Sequence, residues 1–143
     1  MSTFLAGLVL FTMIYMYTPG QGFGPSSLFM DTATGKMTDR AIWMLLGSIL
    51  GTIMWFNVWF VIWPTQKSIL SGKYTAEQLP DARKKALFFS RLNTYLSGPM
   101  LFGMLAPSHY GAINPVTALV AIGLGLVAIW HAIKFSPKVG TTV

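Results

Sequence analysis

From Ala41 to Trp63 the chain runs for 23 residues without a charged side chain. As a helix this run is about 34 Å long, against a hydrocarbon layer about 30 Å thick. Such a segment constrains the solvent of the fold more than any motif does. Its exposed sides must suit oil, and its few polar groups must find partners inside protein. Composition agrees. Hydrophobic residues make up 53% of the sequence and charged residues 10%, where a water-soluble domain carries about 25% charged residues.

Three further apolar segments accompany this run. The first spans residues 2–17; it is short and uncharged, and ends on Tyr15-Met-Tyr17. It lacks the basic lead-in and small-residue cleavage site of a secretory signal, so a retained helix is expected. The others span about 86–106, with Arg91 near the start, and about 113–133. The expectation is an all-α protein, an integral membrane four-helix bundle forming one domain over residues 1–143. A Gly/Pro/Ser-rich loop should occupy 18–40, a basic loop 64–85 and a tight turn 107–112.

Positive charge sets orientation. With four spans, Lys67, Lys73, Arg83, Lys84, Lys85, Arg91, Lys134 and Lys138 share one side, and only Lys36 and Arg40 lie on the other. Eight against two places the basic loop and both termini in the cytoplasm, with the protein in a bacterial inner membrane. The net charge of +6 is therefore topological, and no nucleic-acid partner is expected.

Within the second span, Trp43, Gly47, Gly51, Trp55, Trp59 and Trp63 recur every four residues. Gly47 and Gly51 form a GxxxG pair suited to close helix approach. The tryptophans serve either as packing and interfacial anchors or as a wall for a flat ligand such as haem or quinone. Asn57 lies on another face, and its amide needs a partner. On the third span Ser90, Asn93, Thr94 and Ser97 share one stripe that should point into protein, where Asn57 is placed to meet it. Pro99 should bend this helix. The fourth span carries Asn114, Thr117, Ala118, Ala121, Gly125, Ala128 and Ala132 as a small-residue packing stripe.

The four acids, Asp31, Asp39, Glu77 and Asp81, all lie outside the spans. Proton relays and ion paths ordinarily use intramembrane carboxylates, so transport is the least favoured class. With no cysteine there is no disulfide, iron–sulfur cluster or C-x-x-C-H haem attachment. No P-loop, dinucleotide fingerprint or Ser/His/Asp set is present. His109 and His131 sit at opposite ends of the fourth span, roughly 33 Å apart along it, too far to hold one haem within a single chain. Each is either a plain interfacial residue or a ligand shared with another subunit. Arg91 either snorkels to the interface or pairs with an anionic group such as a haem propionate or a lipid phosphate. No metal-ligating set is evident.

Three stretches carry a resemblance: Met54-Trp-Phe-Asn-Val-Trp-Phe-Val-Ile-Trp-Pro-Thr-Gln-Lys67, Ser90-Arg-Leu-Asn-Thr-Tyr-Leu-Ser-Gly-Pro-Met-Leu-Phe-Gly-Met104 and Ser108-His-Tyr110. Together they resemble the membrane domain of the bacterial urate hydroxylase family, in which an integral membrane domain is joined to a cytochrome c domain. The resemblance covers about residues 41–112. It implies a family core of Asn57, Trp59, Trp63, Pro64, Gln66, Arg91, Asn93, Thr94, Ser97, Pro99 and His109, and a chain corresponding to part of the larger membrane domain. Thr65 departs from the family pattern, which carries Asn there.

Two functions follow as expectations. In the first, the chain is a non-catalytic membrane subunit packed among other subunits of a respiratory or photosynthetic redox complex, in contact with lipid. In the second, it is a module that holds haem b through His109 or His131, with Arg91 beside it and Trp55 and Trp59 as walls, and passes electrons to a cytochrome c.

Overall fold

A computed structural model describes residues 2–109 and 115–139, without the side chains of 115, 117 and 137–139. The described residues form four helices: α1 Ser2–Tyr15, α2 Asp39–Leu70, α3 Leu79–His109 and α4 Pro115–Val139. Two of them, α2 and the Ala118–Ser136 stretch of α4, are long and apolar enough to cross a membrane.

The helices reach beyond their apolar runs. Thr38 caps α2, its hydroxyl accepting the Ala41 N–H at 3.1 Å, and Asp39 places negative charge in the first turn. At the far end α2 continues through Lys67 to Leu70, and Gly72, at φ +67°, supplies the left-handed residue that ends it. The Thr75 carbonyl accepts the Gln78 and Leu79 N–H groups, opening α3. The expected basic loop over 64–85 thus shrinks to 71–78, because two helical turns on each side carry Lys67, Arg83, Lys84 and Lys85 and leave only Lys73 in the connection. Apolarity marks where a helix meets oil, not where its hydrogen bonds stop. At its other end α3 runs unbroken through Pro99 and Pro107 to His109. The expected 107–112 turn therefore starts within a helix, and its remainder lies outside the described residues.

The packing core is the antiparallel pair α2–α3. Gly103 of α3 sits against the α2 backbone: a Cβ there would meet the Gly47 N at 2.9 Å and the Trp43 O at 3.0 Å. In return, a Cβ at Gly47 would meet the Met104 Cγ at 2.9 Å and the Met100 O at 3.1 Å. Of the GxxxG pair, Gly47 is the tight contact, since Gly51 stands in ordinary contact with Met100 and Met104 side chains. The edge of one ring, Trp43 or Phe102, meets the face of the other at 5.4 Å beside this crossing. On α4, Ala118, Ala121 and Gly125 are half-buried, whereas Ala128 and Ala132 are exposed. Ile129 instead fills the space over Gly98, so the small-residue stripe packs only along its first half.

α1 meets the rest through aromatic contacts at both ends and through hydrogen bonds from Ser26. Phe4 stacks on Trp55 at 4.7 Å. At the other end Tyr15, 1% exposed, packs with Phe11 and Phe29. The following loop holds a two-stranded hairpin, β1 Tyr17–Thr18 and β2 Gly22–Phe23.

Candidate functional site

The helical ladder of α2 changes at the Met54–Lys67 motif. Between Asn57 and Ile62 it widens to a π-helix, in which the Trp63 N–H bonds back five residues to Val58. Pro64 follows directly. Proline lacks an N–H and its ring crowds the carbonyl four residues earlier, and a widened turn just ahead of it relieves that crowding. Single π-turns inside α-helices concentrate at functional sites. Nothing in one asparagine and five apolar or aromatic residues distinguishes this turn by composition; Pro64 was the one available signal.

The widened turn begins at Asn57, whose side chain points at α3. Asn57 Nδ2 donates to Asn93 Oδ1 at 2.9 Å, and Asn93 Nδ2 donates to the Met54 carbonyl at 3.0 Å. Both residues are buried, at 7% and 8% exposure. The amide ladder ties the two buried asparagines together and to the backbone just ahead of the π-turn. The expected meeting of Asn57 with the polar stripe of α3 therefore takes place, through Asn93.

The rest of that stripe does not turn inward. Ser90 and Thr94 are exposed and Ser97 is half-buried. Thr94 Oγ1 donates to the Ser90 carbonyl at 3.1 Å, and Ser97 Oγ donates to the Thr94 carbonyl at 2.7 Å. A hydroxyl is satisfied by one bond to a carbonyl of its own helix, whereas an asparagine amide has two N–H donors and a carbonyl acceptor to place. That difference explains why only Asn93 needs the α2 contact. Thr65 behaves likewise; it is buried and donates to the Val61 carbonyl at 2.7 Å.

On the outside of the π-turn, Val58, Trp59 and Trp63 line a shallow apolar groove of about 210 Å³. Trp59 and Trp63 are exposed here, facing away from the helix pair. Trp55 is not part of this groove; its ring is covered by Phe4, and its Nε1 is buried without an acceptor among the described residues. The Trp43 Nε1 is in the same condition.

Arg91, His109 and His131 are all exposed and stand apart from the amide pair. The His131 ring lies 4.3 Å from that of Phe135, and Lys134 Nζ stands 4.6 Å over the Trp130 ring. His109 ends α3. The stretch of α4 from Pro115 to His131 alone measures roughly 24 Å at 1.5 Å per residue. The two histidines therefore do not fit a haem held on both sides by one chain, and neither lines the Trp59 groove. Among the described residues no group of three or more His, Asp or Glu side chains is placed to hold a metal ion. Tyr110 and Asn114 lie outside the described residues.

The candidate site is thus a helix-locking polar pair backed by a π-turn, with an aromatic groove on its outer side and, among the described residues, no group of His, Asp or Glu side chains gathered around it. Comparison with known proteins adds one finding. No curated protein and no solved structure matches the chain. Residues 26–136 match the family described as urate oxidase N-terminal, a span that includes the amide pair, the π-turn, Arg91 and both histidines. With more than three quarters of its length in that match, the chain belongs to the urate oxidase N-terminal family.

Proposed function

We propose that this chain is a multi-pass membrane subunit that packs within a larger redox complex and performs no catalysis itself. Polarity inversion carries the reading. Leu8, Val9, Leu10 and Met13 on α1 and Leu119, Val120, Leu124 and Val127 on α4 are exposed, while the Asn57 and Asn93 amides face inward. The exposed surface is 10081 Å² for 15.7 kDa, whereas a compact water-soluble chain of that mass exposes about 7300 Å². The surplus belongs to lipid and to neighbouring subunits. The eight-to-two distribution of Lys and Arg supports a reading with the 71–78 connection and both termini on the cytoplasmic side, in a bacterial inner membrane.

The family match favours one second reading, a haem b module in a urate-oxidising system that passes electrons to a cytochrome c. Since His109 and His131 do not fit one haem within the chain, such a haem would need a ligand from a second chain. One experiment separates the two. The affinity-tagged chain is purified in mild detergent, resolved by native electrophoresis, and examined by reduced-minus-oxidised spectroscopy. The subunit reading expects a large complex whose haem content is unchanged by His109→Ala or His131→Ala. A haem b band lost with either substitution would establish the module instead.

A further inference from the structure

We infer that the Tyr17–Phe23 hairpin is a lipid-seated cap that completes the first span from the outer side of the membrane. The inference rests on the membrane reading above and goes beyond it. At 14 residues, α1 extends about 21 Å, some 9 Å short of the hydrocarbon thickness. The hairpin follows directly on its C-terminus, where the last carbonyls of a helix lack partners within it. In oil those carbonyls must be satisfied. The loop supplies partners for the last two of them and for the carbonyl that follows. Ser26 Oγ donates to the Ile14 carbonyl at 3.1 Å, Ser26 N to the Tyr15 carbonyl at 2.9 Å and Gly24 N to the Met16 carbonyl at 3.0 Å.

The cap presents apolar side chains outward. Phe23 is 82% exposed and Tyr17 40% exposed, and their rings meet edge-on at 5.5 Å. Gly20 and Gly22, at φ +88° and +86°, give the reversal its tightness. No charged side chain occurs before Asp31, and the exposed Gln21 amide at the tip of the reversal suits the headgroup layer while the two rings reach toward the acyl chains. Aromatic rings on a hydrogen-bonded turn suit the headgroup–acyl boundary. The partner is the lipid itself.

The chain contains no cysteine, which makes single-site spin labelling direct. Phe23→Cys and Tyr17→Cys are labelled in the full chain reconstituted into phosphatidylcholine/phosphatidylglycerol vesicles. Collision with oxygen, which concentrates in lipid, is compared with collision with a water-soluble nickel chelate. Leu8→Cys on α1 is the lipid reference, and Ala33→Cys, beyond the first charge, is the water reference. The expected result is an oxygen-to-nickel ratio at residues 23 and 17 several-fold above that at 33 and approaching that at 8. A ratio at 23 and 17 equal to that at 33, with 8 still in lipid, overturns the cap alone. A water-like ratio at 8 as well overturns the cap together with the membrane reading.

Discussion

Gly103→Ala is the sharpest probe of the α2–α3 pair. A Cβ at this position would sit 2.9 Å from the Gly47 N, 3.0 Å from the Trp43 O and 3.1 Å from the Gly47 Cα. All three are backbone atoms, so no side chain can swing aside and the helices themselves must separate. Overpacking of this kind costs about 1–3 kcal/mol, and contact with rigid backbone belongs at about the upper end of that range. Alanine returns about 1 kcal/mol of helix propensity, leaving a net loss of roughly 2 kcal/mol. Gly51→Ala is the internal control. Its Cβ would meet only the Met100 and Met104 side chains, both at 3.8 Å, so it should range from neutral to about 1 kcal/mol stabilising. Reversible unfolding in mixed detergent micelles, followed by circular dichroism, measures both variants. Equal stability of Gly103→Ala and Gly51→Ala would refute the close backbone contact.

Gly98→Ala meets the tip of Ile129 at 2.7 Å from Cδ1, and the Gly125 backbone only at ordinary distances of 3.9 and 4.0 Å; it should cost less than Gly103→Ala in the same assay and be rescued by Ile129→Val. Asn93 makes two interhelical bonds where the Asn57 amide makes one of them, so Asn93→Leu should destabilise more than Asn57→Leu. Their double-mutant cycle should return a coupling of about 0.6–1.7 kcal/mol; zero coupling would contradict the amide pair. In the outer loop, the Ala33 N–H and the Thr34 hydroxyl hold the Asp31 carboxyl below its ordinary 3.8, against a smaller opposing effect of desolvation. The folded value is depressed, so this turn is fully supported above pH 3.8 and loses its support as pH falls through the lowered value. Amide exchange at Ala33 should accelerate over that acid range, and Asp31→Asn should abolish the pH dependence.

How much of this was legible from residues alone depends on the kind of constraint involved. The 41–63 run and the demand of an intramembrane asparagine for a partner are consequences of solvent, and the Asn57–Asn93 bond followed from them. Helix ends were not legible from apolarity, because Lys67 and Arg83–Lys85 lie in helical turns that continue beyond the apolar runs. The GxxxG pair named two glycines but not the one against which α3 closes; that needed Gly103 across the interface. Ser90, Thr94 and Ser97 looked as demanding as Asn93 until their capacity to bond to their own helix was counted. The partner of Trp55 is Phe4, from a segment distant in sequence, and no local pattern announces it. The α1 cap was equally hidden, since Ser26 reads as a loop residue until its bonds to Ile14 and Tyr15 are seen.

The account depends on inverted polarity, with oil around α1, α2 and α4 and water only at the ends. Washing membranes that contain the chain with alkaline carbonate tests this directly. The chain should stay in the membrane pellet and leave it only with detergent. Release of a folded, monodisperse chain into the detergent-free supernatant would contradict it.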